Sequence, residues 1–187
     1  TWISDLLAHG LIRGSFVPEA PIQDLRALTR TRKQLVREKA QHVQRIMKTL
    51  EDANLKIASV VSDIMGMSGR LILEALIEGE TDPEKLADLT QKRLKASRKM
   101  IVESLRGCVT RNHRFLLELH FDQIRAIENA IAKVEKEVGA VLEPFRAKAT
   151  LLTTAPGVSD IVAHVVVSEI GLDMSRFPTA GHLVSWA

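Results

Sequence analysis

The 187-residue chain has no tyrosine, two tryptophans and five phenylalanines, so aromatics make up only 4% of it. A core with so few large rings must close through aliphatic side chains, and leucine, isoleucine, valine and alanine abound. That mixture favours helices packed along aliphatic seams. Cys108 is the single cysteine, which excludes a disulfide framework and a cysteine-based zinc site and fits a reducing, cytosolic setting. The longest apolar runs, such as "IVAHVVV", are far too short to cross a bilayer, so no membrane partner is expected. No signal-peptide pattern is present, and the first residue is not methionine. With 26% charged and 45% apolar residues, the composition is that of a soluble globular protein of one domain or slightly more.

The net charge of +3 hides an uneven distribution. Between Ile22 and Leu50 the basic residues are Arg26, Arg30, Arg32, Lys33, Arg37, Lys39, Arg45 and Lys48, opposed by Asp24 and Glu38. Between Lys92 and Arg114 they are Lys92, Arg93, Lys95, Arg98, Lys99, Arg106, Arg111 and Arg114, against Glu103. One such run is the solvated face of many ordinary helices. Two in one chain form an electrostatic footprint for a polyanion, and nucleic acid is the expected partner.

Apolar spacing predicts a mainly α fold. Residues 1–10 read as a helix tail with Gly10 as its cap, and "LIRGSFVPEAP" as an extended link broken by Pro18 and Pro21. One long helix is predicted from Pro21 to Asp52, its seam loosened where Thr29 and Arg32 fall on it. A second, from Asn112 to Phe145, places Leu117, His120, Ile124, Ile127, Ile131, Val134, Val138 and Val141 three and four residues apart. That is a heptad seam held for more than three repeats. Its acidic flanks (Glu118, Asp122, Glu128, Glu135, Glu137) suit the basic first helix, predicting a long antiparallel coiled coil and self-association as a homodimer or higher oligomer. Between them lies a short-helix insert. "LKIASVVSDIMG" reads as one helix, Ser68 as the cap of the next, which stops near Gly79, and Thr81 with Glu84 as a capping box. A further helix is predicted from Ala96 to Arg106.

"LLTTAPGVSDIVAHVVVSEIG" has the shape of a helix-hairpin-helix. Pro156-Gly157-Val158 forms the turn, and Ile161, Val162, Val165 and Val166 are placed inward. Such a hairpin offers backbone N–H groups at Gly157, Val158 and Ser159 to a phosphate without reading sequence. Ser159 stands where a second glycine is usual; its side chain narrows the approach, while its hydroxyl can cap the helix or donate to phosphate. Enzyme chemistry finds no foothold. His113 and His120 lack a completing ligand set. Ser159, Ser168, Ser175 and Ser185 have no glycine elbow or base, and Asp5, Asp63, Glu74 and Glu78 show no paired-carboxylate logic. No catalytic residue and no metal ligand is assigned.

Four stretches taken together resemble the transposases of insertion-sequence family 110. They are "TWISDLLAHGLIRGSFVP", "LRALTRTRKQLVREKAQHVQRI", "SDIMGMSGRLILEALIEGETDPEKLADL" and "APGV…SEIGLDMSRFPTAGHLVSWA". The resemblance implies an RNase-H-like (RuvC-type) domain with four metal-binding acidic residues, a helical coiled-coil region, and a carboxyl-terminal transposase domain with a catalytic serine. On that plan residues 1–20 are the tail of the RuvC-like domain. Residues 21–147 are the coiled-coil region, and 148–187 the start of the transposase domain. The last acidic pair would precede Thr1 and the serine would follow Ala187, so both ends are expected to cut through structure. A divalent metal, magnesium, is expected for the full-length protein and no cofactor for this segment. The implied partners are DNA and, in at least some members, a guide RNA; the implied setting is the bacterial cytoplasm and nucleoid. The insert from Leu55 to Gly107 is expected in only part of the family.

The reading that follows is a piece of a DNA transposase that dimerises and holds nucleic-acid backbone on Arg26, Arg30, Arg32, Lys33, Arg37, Lys39 and Arg45. The alternative is a stand-alone helical coiled-coil interaction module with no nucleic-acid function, and a third reading is a self-sufficient nuclease or metal enzyme.

Overall fold

The computed structural model describes residues 2–11, 17–90 and 96–186, and for Trp186 the backbone alone. Lys92, Arg93 and Lys95 of the second basic stretch lie outside the described residues, as do 12–16 of the link. Among the described residues helix accounts for 74% and no strand is present, as the aliphatic, aromatic-poor composition predicts. The α-helices are α1 (Trp2–Ala8), α2 (Ala20–Asp52), α3 (Met67–Glu78), α4 (Pro83–Asp88), α5 (Arg98–Ser104), α6 (Arg111–Val141), α7 (Arg146–Leu152), α8 (Asp160–Ile170) and α9 (Ala180–Trp186).

Contacts divide the chain into two compact units: a central unit, Arg32–Lys133, and a split unit, Thr1–Thr31 with Val134–Ala187. Both α2 and α6 contribute to each. In the central unit α2 meets α6 at Lys39–Glu128 (2.7 Å), His42–His120 (3.3 Å) and Asp52–His113 (2.9 Å). The residue numbers rise on one helix and fall on the other, so the two run antiparallel there. Ile46 and Leu50 of α2, Ile72, Leu73 and Leu76 of α3, and Leu117, Phe121 and Ile124 of α6 share one buried cluster. Each such side chain contributes about 1.5–3 kcal/mol when fully buried, so the insert and the long helices stand or fall together. The predicted seam faces inward throughout: Leu117, Ile124 and Val138 are buried, and His120, Ile127, Ile131, Val134 and Val141 are half-buried.

The insert departs from the sequence expectation at its helix starts. "LKIASVVSDIMG" forms one 3-10 turn, Ile57–Ser59, rather than a helix. Its serines and aspartate divert backbone bonds: the Asp63 carboxylate accepts from the Met65 N–H, and Ser59 donates to the Lys56 carbonyl. Four β-branched residues weaken the helical alternative further. The cap of α3 is Gly66 in extended conformation, which leaves Ser68 buried within the first turn. Gly69 is needed there, because a Cβ would lie 2.2 Å from the Ile64 carbonyl oxygen. The stop at Gly79 is as expected, with a left-handed φ of 106° and an N–H shared by the Ala75 and Leu76 carbonyls.

At α4 the cap is Asp82, not Thr81. Its carboxylate accepts from the Glu84 N–H at 2.9 Å, and Glu80 takes the N–H groups of Thr81 and Asp82. Helix α5 starts two residues later than predicted because Ser97 caps it, and it ends at Ser104 rather than Arg106. Helix α6 ends at Val141, and Pro144 sits in a following 3-10 turn, Glu143–Phe145, where its missing N–H costs nothing.

In the split unit Ile22 and Leu25 of α2 pack with Val138, Leu142, Ala149 of α7 and Val167 of α8.

Candidate nucleic-acid interface

The predicted contact residues of α2 fall into distinct environments. In the split unit, Arg26 donates from Nε to the Ser168 carbonyl (3.1 Å) and from Nη2 to the Glu169 carbonyl (2.7 Å). Its side chain is 20% exposed. Arg30, one turn further, donates from Nε and Nη2 to the two carboxylate oxygens of Glu169, each at 2.8 Å, yet stays 65% exposed. The Glu169 hydrogen bond, and then its charge, raise the Arg30 pKa above its ordinary value. Between the two arginines, the buried hydroxyls of Thr29 and Ser168 lie 3.0 Å apart and hydrogen-bond. Thr29 therefore loosens the apolar seam because it has a polar partner, as buried hydroxyls require.

In the central unit, Lys33, Arg37, Arg45 and Lys48 are exposed and Arg32 is half-buried. Spacings of four, four, three and four place Lys33, Arg37, Gln41, Gln44 and Lys48 on one helix face, every one of them exposed. The row sets two adjacent amides, which can donate to phosphate oxygens, between cations at either end. Lys39 lies off it and binds the Glu128 carboxylate, which Arg70 also engages. Burial pushes the Glu128 carboxyl up, but the Lys39 and Arg70 hydrogen bonds and charges outweigh it and hold the group below the usual range. His120 meets His42 at the seam; burial first, then the His42 and Arg45 charges, lower its pKa.

Helices α7 and α8 are joined by a turn over 153–159, closed by bonds from Ala155 N–H to the Leu152 carbonyl and from Val158 N–H to the Ala155 carbonyl. Gly157 takes a left-handed φ of 85° with nothing within 4 Å of the place a Cβ would occupy. Val158 is half-buried. Ser159 caps α8, its hydroxyl accepting from the Val162 N–H at 3.4 Å. The buried stripe of α8 is Ala163, Val167 and Ser168. Ile161, Val162 and Val165, expected inward, are instead exposed by 41–49%. The face turned to α2 is the one that carries Ser168, held by the Thr29 hydroxyl, by Arg26 on the Ser168 and Glu169 carbonyls, and by Val167 in the core.

Residues 149–187, which hold this hairpin and α9, match the family described as Transposase IS116/IS110/IS902 family. Over these residues the chain is similar to that transposase family. No curated protein and no solved structure matches it.

Within the matched residues the serines have structural occupations where their bonds are resolved. Ser159 caps α8, Ser168 bonds Thr29 and the Val165 carbonyl, and Ser175 donates to Asp173. Asp173 is held below the usual carboxylate range, chiefly by that Ser175 bond and then by Arg176. Among the described residues no group of three or more His, Cys, Asp or Glu side chains could hold a metal ion, and no helix is long and apolar enough to cross a membrane.

The acidic partner was what sequence reasoning missed. Glu169 lies 139 residues from Arg30, and no local spacing connects them. Thr29, a hydroxyl on an otherwise aliphatic stripe, was the available signal.

Proposed function

We propose that this chain is the backbone-gripping and spacing part of an insertion-sequence transposase, acting on DNA. The observation that carries the reading is the exposed row Lys33, Arg37, Gln41, Gln44 and Lys48 on α2, in a chain whose residues 149–187 match the transposase family. A straight row of cations and amides suits phosphate contacts, which position a nucleic acid without reading its bases. Arg45 flanks the row, and the open turn at Gly157 with Ser159 adds a second, sequence-indifferent contact, the Val158 N–H being taken by the Ala155 carbonyl. Self-association of the chain belongs to the same reading but would use other surfaces, since the α6 seam is already covered within the chain, and a guide RNA would present the same backbone chemistry to the basic face.

In this reading residues 1–20 close an RNase-H-like domain, 21–147 form the coiled-coil spacer, and 148–187 open the catalytic transposase domain. The acidic residues that would hold magnesium and the serine that would attack DNA belong outside these residues, so no reaction step is assigned to the side chains described.

The test is affinity for a mixed-sequence DNA duplex across a salt series. Each phosphate neutralised contributes about −0.9 to the slope of log K against log salt. Steep weakening with salt is expected, and a flat response or no binding would remove the nucleic-acid role and leave the helical interaction module.

A further inference from the structure

Glu169 occupies a place where an anion is disfavoured. It lies in the last turn of α8, a turn that carries no basic residue of its own. The helix dipole and the unpaired carbonyls repel a carboxylate there. Two arginines of α2 resolve the conflict in different ways. Arg26 is mostly covered and donates to the Ser168 and Glu169 carbonyls, with its Nε also 3.3 Å from a Glu169 carboxylate oxygen, so it acts as the missing cationic cap of α8 and shares the carboxylate with Arg30. Arg30 makes no such backbone bond; its paired N–H groups meet the two Glu169 oxygens at 2.8 Å, with most of its side chain open to solvent. That fork-to-fork geometry is the one arginine uses for phosphate as well as carboxylate.

We propose that Glu169 is an internal stand-in for a backbone phosphate. In the free protein it occupies the Arg30 guanidinium, and a nucleic-acid phosphate displaces it, while Arg26 stays on the helix end. The exchange swaps one charge-assisted pair for another, so it is driven by the release of counterions from the nucleic acid. Losing Arg30 leaves Glu169 facing the carbonyl end of α8 with Arg26 alone, which weakens the tie between α2 and the matched segment 149–187. Backbone binding is thereby coupled to the freedom of that segment. The proposal rests on the nucleic-acid reading above and adds to it a competitor within the chain.

The experiment compares duplex affinity and its salt dependence for the whole chain and for Glu169→Gln, Arg30→Ala, the double variant, and Asp24→Asn. The last makes the same charge change on an exposed position of α2. Glu169→Gln is expected to bind about three- to tenfold tighter with a salt slope close to that of the wild type, because the Arg30–phosphate contact forms in both, whereas Arg30→Ala should flatten the slope by about 0.9. That gain should vanish in the Arg30→Ala background. Arg26→Ala should instead lower the thermal midpoint, showing the cap. An equal gain in Asp24→Asn, or a gain that survives Arg30→Ala, reports general charge and overturns the competitor role. Unchanged affinity of Glu169→Gln beside a wild type that binds also overturns it, and leaves the nucleic-acid reading intact. No binding by any variant removes both.

Discussion

The Nδ1 atoms of His42 and His120 lie 3.3 Å apart between α2 and α6, with the rings edge-on at 5.3 Å. A hydrogen bond between two Nδ1 atoms requires one to carry a proton and the other to be bare. The neutral pair therefore takes opposite tautomers, and a second proton replaces the bond with repulsion.

This sets a pH dependence. The His120 pKa is lowered from 6.5 by burial, by His42 and by Arg45. His164 is lowered from 6.5 by burial and by Arg146, against the raising effect of Asp160. A histidine whose folded pKa lies below its unfolded value stabilises the fold fully above the unfolded value, about 6.5. That stability is lost as pH falls through the lower folded value. The thermal midpoint should hold level from pH 8 to about 7 and then decline on acidification. His120→Leu should blunt the decline, and an unchanged profile in that variant would refute the assignment.

Glu128 accepts from both Lys39 and Arg70 with 30% of its side chain exposed. Removing its charge strands two cations side by side. Glu128→Gln should lower stability by about 1–3 kcal/mol, read as a shift in the denaturant midpoint with unchanged slope. Replacing Glu118, an exposed residue of the same helix, should change little.

Gly69 is confined by backbone rather than by a movable side chain. A Cβ would meet the Ile64 carbonyl oxygen at 2.2 Å and its carbonyl carbon at 2.6 Å. Gly69→Ala must push the 60–66 turn away from α3, at a cost of about 1–3 kcal/mol. By contrast Gly139→Ala, with open space around it, should gain up to about 1 kcal/mol, since alanine favours helix. Opposite shifts in thermal midpoint are the expected result.

Reversing Lys33 and Arg37 to glutamate should weaken duplex binding at least tenfold and flatten its salt slope by about 2. Circular dichroism should be unchanged, because both side chains are exposed. A slope that stays the same would place the contact surface elsewhere.

The long elements were legible in the sequence because their signals are local and repeated. The eight seam positions of α6 follow from spacing alone, and Gly79 stops α3 because only glycine sits easily at that φ. Short elements were harder to read. Thr81 and Asp82 are both competent caps, and which one serves depends on Glu80 claiming the neighbouring N–H groups. The "LKIASVVSDIMG" stretch has helical spacing at Ile57, Val61, Ile64 and Met65, but these residues bury just as well from turns. At the candidate interface the charges were visible and their partners were not. Arg26 and Arg30 look like Lys33 and Arg37 until the fold brings Glu169 to them.

The Cys108 N–H donates to the Ala53 carbonyl at 2.8 Å, and a Cβ on Gly107 would lie 2.3 Å from that same oxygen. The more than fifty residues between Ala53 and Cys108 thus leave and rejoin the long helices at nearly one point, like a bag drawn shut by a cord. Topologically such a pouch could be acquired or lost in a single genetic event, with a short hairpin restoring the connection. Its contents say otherwise, since Leu117, Phe121 and Ile124 of α6 share its core. A lineage that dropped the pouch would have to repaint that stretch of α6 with polar residues, and related sequences lacking residues 55–107 should carry that mark.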